Sequence, residues 1–225
     1  MAQTYLVSGP DDLRDIAALV GPVGPRTGPG KRTKAKKEWY VLLGFLTTAI
    51  PAGMFELPVC IREGLPPKEP DFVMTRRDAA DAVGLFEITE ATNEADQREK
   101  TAFERSGKST ALIGEFGGRF PDGASRPGIA WAMDIVDAIR RKDGKAIFES
   151  TAANRHLIVY PNSNPSFLLS DHEDESEAVE NLRVEIAKDA ASLARIANGC
   201  LVYILGGYLI CVDALGEMKL LTRPV

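Results

Sequence analysis

The stretch EPDFVMTRRDAADAVGLFEITEAT, residues 69–92, decides the fold. The runs PDFVMT and AVGLFEIT are rich in β-branched and aromatic residues and are separated by a polar turn, which predicts a β-hairpin. Glu87 stands in the middle of the second run, which otherwise reads as a buried strand. A carboxylate in a sheet interior is costly unless something pairs with it. The nearest acidic residue able to share its site is Asp71, sixteen positions earlier. On adjacent strands of a hairpin the two lie close on one face. Two close carboxylates repel, and one pKa rises unless a cation sits between them.

A hard divalent ion, Mg2+ or Mn2+, resolves that conflict, because such ions favour carboxylate, carbonyl and water oxygens. Asp71, Glu87 and the backbone carbonyl of Ile88 then make a partial shell, completed by waters and a substrate phosphate. An ion so held lowers the pKa of bound water and polarises a phosphoryl group. Other readings stand beside this one. Asp71 after Pro70 also suits a turn, and Glu87 also suits an ion pair with a core arginine such as Arg140 or Arg155.

Outward from the hairpin, helical and strand patterns alternate. DDLRDIAALVG opens with N-capping aspartates and stops at Gly21, as a short helix does. GPVGPRTGPGKRTKAKK follows and reads as a mobile basic segment. Its cations Lys31, Arg32, Lys34, Lys36 and Lys37 form either a solvated linker or an arm that contacts phosphates. KAKKEWYVLLGFLTTAI has helical length and spacing, NEADQREKTAFERS is a charged helix pattern, and GIAWAMDIVDAIRRK is an amphipathic one. RHLIVYP is a buried strand. An acidic loop near 171–180 precedes a long helix beginning at Ser176 and ended by Gly199, and CLVYILGG and YLICVDAL close the chain as strands. The expected organisation is an N-terminal helix and Gly/Pro-rich linker over 1–30, then an α/β domain over 31–225 with its sheet between helices.

Composition narrows the classes. The chain has 225 residues, 44% of them hydrophobic and 26% charged, enough for a sizeable core without covalent staples. Its three cysteines lack any C-x-x-C spacing, which points to thiols in a reducing compartment. The start MAQTYLVSGPDDLRD has no signal-peptide pattern, and the longest apolar run, 39–55, is broken by Pro51 and too short to cross a bilayer. A cytoplasmic protein with no membrane contact is the expectation. The net charge of −5 is uneven: residues 1–160 carry 22 Lys/Arg against 22 Asp/Glu, while 161–225 carry 5 against 10. Overall charge therefore does not advertise a polyanion partner, and any such contact must rest on local patches.

RSGKSTALI, 105–113, ends like a phosphate-binding loop, but the required glycine five residues before Gly107 is Ala102, and no strand pattern leads into it. A polar turn is the better reading. His156 and His172 are the only histidines. His156 opens a buried strand and reads as a packed residue rather than a base.

Pro70-Asp71-Phe72, a polar hairpin turn and then Phe86-Glu87-Ile88-Thr89 resemble the PD-(D/E)XK nuclease core of restriction-endonuclease-like folds. The resemblance covers roughly residues 34–160. A helix with an early glutamate, Glu38, precedes the hairpin, and a helix and the strand RHLIVYP follow it. It implies a central mixed β-sheet flanked by helices and a Mg2+- or Mn2+-dependent endonuclease that hydrolyses phosphodiester bonds of nucleic acid, DNA ahead of RNA. A homodimer or a partner subunit stays open. In that family a lysine follows the strand glutamate by two residues, and here Thr89 occupies that place. A hydroxyl cannot supply a fixed positive charge for the attacking water. Lys142 is the candidate for a lysine supplied from a neighbouring helix, with Gln97 and Lys100 as weaker ones. The alternative is a catalytically silent fold of the same kind that binds nucleic acid or protein.

Overall fold

A computed structural model describes residues 3–21, 33–65, 69–78, 81–91, 128–142, 155–161, 172–188, 200–204, 208–212 and 218–222. Among these residues eight strands form one sheet in chain order: β1 (Thr4–Val7), β2 (Val59–Glu63), β3 (Phe72–Arg76), β4 (Ala82–Ala91), β5 (Arg155–Pro161), β6 (Cys200–Ile204), β7 (Tyr208–Val212) and β8 (Met218–Thr222). Strands β1 to β4 are an antiparallel meander, β4–β5 and β5–β6 pair in parallel, and β6 to β8 run antiparallel again. Four helices accompany the sheet among the described residues: α1 (Pro10–Val20), α2 (Lys34–Ala49), α3 (Gly128–Arg140) and α4 (His172–Ala187). The molecule is thus an α/β protein with a mixed sheet and flanking helices, as the alternation of patterns predicts.

The expected hairpin is β3–β4, with Phe72 opposite Phe86 and an irregular register between Met74 and Thr75. Side chains alternate across a strand, so β4 and β5 each present two faces. Phe86, Ile88, Ile158 and Tyr160 join a core with Phe72, Met74 and the α2 residues Trp39, Leu42, Phe45, Leu46 and Ala49. Leu157 and Val159 point the other way, where α3 packs on β4 and β5 with Trp131, Ile135 and Ile139 fully buried. Glu87 and Thr89 share that second face by alternation, and each is only 8% exposed.

Two segments differ from expectation. The N-terminal stretch, expected as a helix and Gly/Pro-rich linker over 1–30, also supplies a strand: Thr4 to Val7 pair with Arg62 to Val59. Leu13 and Ile16 of α1 belong to the main core, and Trp39 meets Tyr5 edge-on at 5.2 Å and Phe72 at 4.7 Å. Four residues are too few to announce a strand by alternation alone. The acidic run expected as a loop is helix from His172 onward. Carboxylates crowd the first turns there, where the positive end of the helix dipole favours them.

The starts of the first two helices are well specified. Before α1, the amides of Ser8 and Gly9 donate to the Asp12 carboxylate at 2.6 and 3.0 Å, and Pro10 sits in the first turn, where its missing N–H costs nothing. Thr33 caps α2, its hydroxyl accepting from the Lys36 amide at 3.2 Å. The first turn of α2 then carries Lys34, Lys36 and Lys37 and no acid, an arrangement its dipole opposes. Something anionic must stand nearby.

Candidate functional site

The anions are Asp71, Glu87 and Glu90, gathered where the N-terminus of α2 passes the far end of β4. Asp71 lies one residue ahead of β3, so extending the register from Phe72–Phe86 sets it across from Glu87. Its Oδ2 accepts from the amide of Ile88 at 2.8 Å, and its carbonyl accepts from the amide of Gly64 at 2.9 Å. Gly64 is needed there: a Cβ would lie 1.7 Å from the carbonyl oxygen of Pro70, so no larger residue fits without moving the backbone that carries Asp71. Glu69 steadies the same loop. Arg62 grips it with both guanidinium nitrogens, at 2.6 and 2.8 Å, holding its carboxyl well below the usual range, at about 2.

Lys142 supplies the cation at Glu87. It sits in the turn just after α3, its amide donating to the carbonyl of Ile139 at 2.9 Å. Its ammonium lies 2.5 Å from Glu87 Oε1 and 3.4 Å from the carbonyl oxygen of Ile88. Neither side chain is open to water, with 13% of Lys142 and 10% of Glu87 exposed. Of the arginines weighed as partners for Glu87, Arg140 bonds Asp137 at 2.9 Å, and Arg155 stands in register with Leu85.

On the α2 side, Lys34 Nζ lies 3.0 Å from Glu38 Oε1 and 3.7 Å from Asp71 Oδ1. Glu38 is thus turned into the site rather than out to solvent, with 14% of its side chain exposed. Burial pushes the Glu38 carboxyl up, and the neighbouring charge of Asp71 adds to it. Burial likewise raises Asp71, opposed by the Ile88 amide and reinforced by Glu87. The hydrogen bond from Lys34 to Glu38 raises the lysine. Among the described contacts, three carboxylates, Asp71, Glu87 and Glu38, are brought beside two ammonium groups, Lys34 and Lys142.

A second cluster adjoins the first. Lys37 pairs with Glu90 and stands over the Tyr160 ring, 5.2 Å from its centroid, while the Tyr160 hydroxyl donates to Glu90 at 3.2 Å. Arg141 donates to the backbone carbonyl of Glu90 at 3.0 Å. Lys37 is therefore taken up in the fold, whereas Lys34 keeps 80% of its side chain exposed. Neither Glu90 nor Arg141 was singled out by the sequence. Three lysines in a helix's first turn without an acid is the signal that could have found their partners. Lys31, Arg32, Gln97, Lys100 and the stretch 105–113 lie outside the described residues.

His156 opens β5 opposite Phe86, stacked on that ring at 5.4 Å and edge-on to Phe55 at 5.9 Å. Burial lowers its pKa to about 4, so it is neutral at pH 7 and packed as a ring.

The oxygen donors Asp71, Glu87 and the Ile88 carbonyl suit a hard divalent ion in kind. Among the described residues no group of three or more His, Cys, Asp or Glu side chains is set to hold a metal, so such a shell depends on the backbone carbonyl. No helix among them is long and apolar enough to cross a membrane. Comparison with family models, with curated proteins and with solved structures finds no match for this chain.

Proposed function

We propose that this protein is a metal-dependent nuclease of the restriction-endonuclease-like kind, hydrolysing phosphodiester bonds of nucleic acid, with DNA favoured over RNA. The observation that carries the reading is the Lys142 ammonium at 2.5 Å from Glu87 and 3.4 Å from the Ile88 carbonyl. It is a lysine brought from a distant turn to the strand glutamate, where the family pattern has one and this chain has Thr89. The order of α2, the β3–β4 hairpin, α3 and a parallel β5 adds support.

In this reading Asp71, Glu87 and the Ile88 carbonyl hold Mg2+ or Mn2+. Such an ion supplies an acidified water and a polarised phosphoryl oxygen. The chain's own residues do the rest. Lys142 donates to the attacking water and balances charge developing on the phosphate. The Ile88 amide fixes one Asp71 oxygen and so orients the other. Lys34, with Lys31, Arg32 and Lys36, contacts backbone phosphates, a role that would make binding fall steeply with salt. Lys37 is committed to Glu90.

A silent fold that only binds nucleic acid or protein is the second reading, and one observation favours it. The Lys142–Glu87 pair and the Asp71–Ile88 hydrogen bond already satisfy much of the site's charge without any ligand. The test is a cleavage assay on single- and double-stranded DNA and on RNA with Mg2+ and with Mn2+, beside melting curves in the same buffers. Metal-dependent cleavage that Asp71→Asn abolishes supports the nuclease. Absence of cleavage, with melting indifferent to millimolar metal, leaves the silent fold.

A further inference from the structure

We infer that Lys142 competes with the divalent ion for the same oxygens, so that the metal-free site is held shut by its own lysine; this rests on the metal-dependent reading above. The ammonium stands against Glu87 Oε1 and the Ile88 carbonyl oxygen, two of the three groups that make up the candidate shell. Two cations cannot share one small set of oxygens in a site this dry, because their repulsion is little screened there.

What gives way is the lysine side chain, not the strand. Ile88 is anchored independently of Lys142: its amide is bound to Asp71, and β4 pairs with β5 from Leu85 to Ala91. Lys142 instead sits in a turn at the end of α3, on a long flexible stem. A divalent ion therefore displaces the ammonium toward solvent and the substrate side. The contact that keeps Glu87 compensated in the empty site becomes, once broken, a free donor for the attacking water. Metal affinity is then lower than the oxygen donors alone would give, by the strength of the lysine contact.

Direct Mn2+ binding, measured by calorimetry and by the electron paramagnetic resonance of free Mn2+, tests this without any cleavage step. Lys142→Met should bind Mn2+ about ten- to a hundredfold more tightly than the parent, the usual range of coupling between competing sites. Lys142→Arg keeps the charge and should stay near the parent. Equal affinity in Lys142→Met and the parent overturns the competition while leaving the metal reading intact. Binding in neither overturns both. Should Lys142→Met not fold, the parent serves: saturating Mn2+ should increase acylation of Lys142 several-fold, relative to Lys188 just past α4, when read by peptide mass spectrometry. Unchanged acylation with Mn2+ bound overturns the inference.

Discussion

Glu87 and Glu90 lie three residues apart on one strand and point to opposite faces of the sheet, and each meets a lysine more than fifty residues away. Around Glu90 the charges close locally. One carboxylate meets one ammonium and the Tyr160 phenol, the ammonium stands over that phenol's ring, and Arg141 takes the adjoining backbone carbonyl. The result braces the first turn of α2 against β4 and β5. Around Glu87 acids are crowded instead: burial raises both Asp71 and Glu38, and the described ion pairs set Lys142 at Glu87 and Lys34 between Glu38 and Asp71. A folded chain gains little by keeping such crowded acids for stability alone, since breaking even or losing is common for buried charge. The contrast separates a brace from a site, because only the second holds carboxylates that burial and neighbouring acids make costly to ionise.

Losing each lysine in turn is the harshest way to break that contrast. In the nuclease reading Lys142→Ala should slow cleavage by about two to four orders of magnitude, the scale of a lost electrostatic or acid–base group. Lys37→Ala should leave the rate within about tenfold and lower the melting temperature instead, as loss of a half-buried charged hydrogen bond does. Equal losses of rate in both variants would erase the distinction.

Acid offers the next test, because the two faces titrate with opposite sign. His156, on the Glu90 face, has a folded pKa of about 4 against an ordinary value of 6.5. The unfolded chain takes up that proton first, so stability is lost as pH falls from about 6.5 to about 4, by about 3 kcal/mol. Urea titrations across that window should show the loss in the parent and a flatter profile in His156→Phe. Asp71 and Glu38 are raised, so the folded state binds their protons more readily. Their cost is present at neutral pH and is relieved as pH falls through the raised values.

The smallest effects sharpen the comparison by sign. Glu90→Gln should destabilise the protein by about 1–2 kcal/mol, since it leaves Lys37 half-buried beside a neutral group. Asp71→Asn should produce a smaller gain at pH 7, because it removes a repelled carboxylate while the amide oxygen can still accept from Ile88. Thermal melts of both variants at pH 7 settle it, and a loss of stability in Asp71→Asn would show that Asp71 is a structural anchor rather than a strained group.

Much of this architecture is legible in the amino-acid order because it rests on near neighbours. The alternation of FVMT and VGLFEIT announces the β3–β4 hairpin, and a hairpin brings Asp71 and Glu87 together whatever the remainder of the chain does. The apolar spacing of Trp131, Ile135 and Ile139 likewise announces the face α3 turns to the sheet. Strands β1, β2 and β8 are not announced. They are four or five residues long, and the charged Arg62, Glu63 and Lys219 interrupt two of them, so only pairing with a neighbour makes them strands. Residues 172–175 show the same limit, since their charge reads as solvated loop until a helix dipole is there to use it. By itself the sequence determined that two carboxylates share a place. Only the tertiary structure decided which cations answer them, because Lys142 reaches Glu87 across 55 residues and Lys37 reaches Glu90 across 53. The strength of a charge contact depends on the distance and water left between the groups after packing, and no local pattern encodes either.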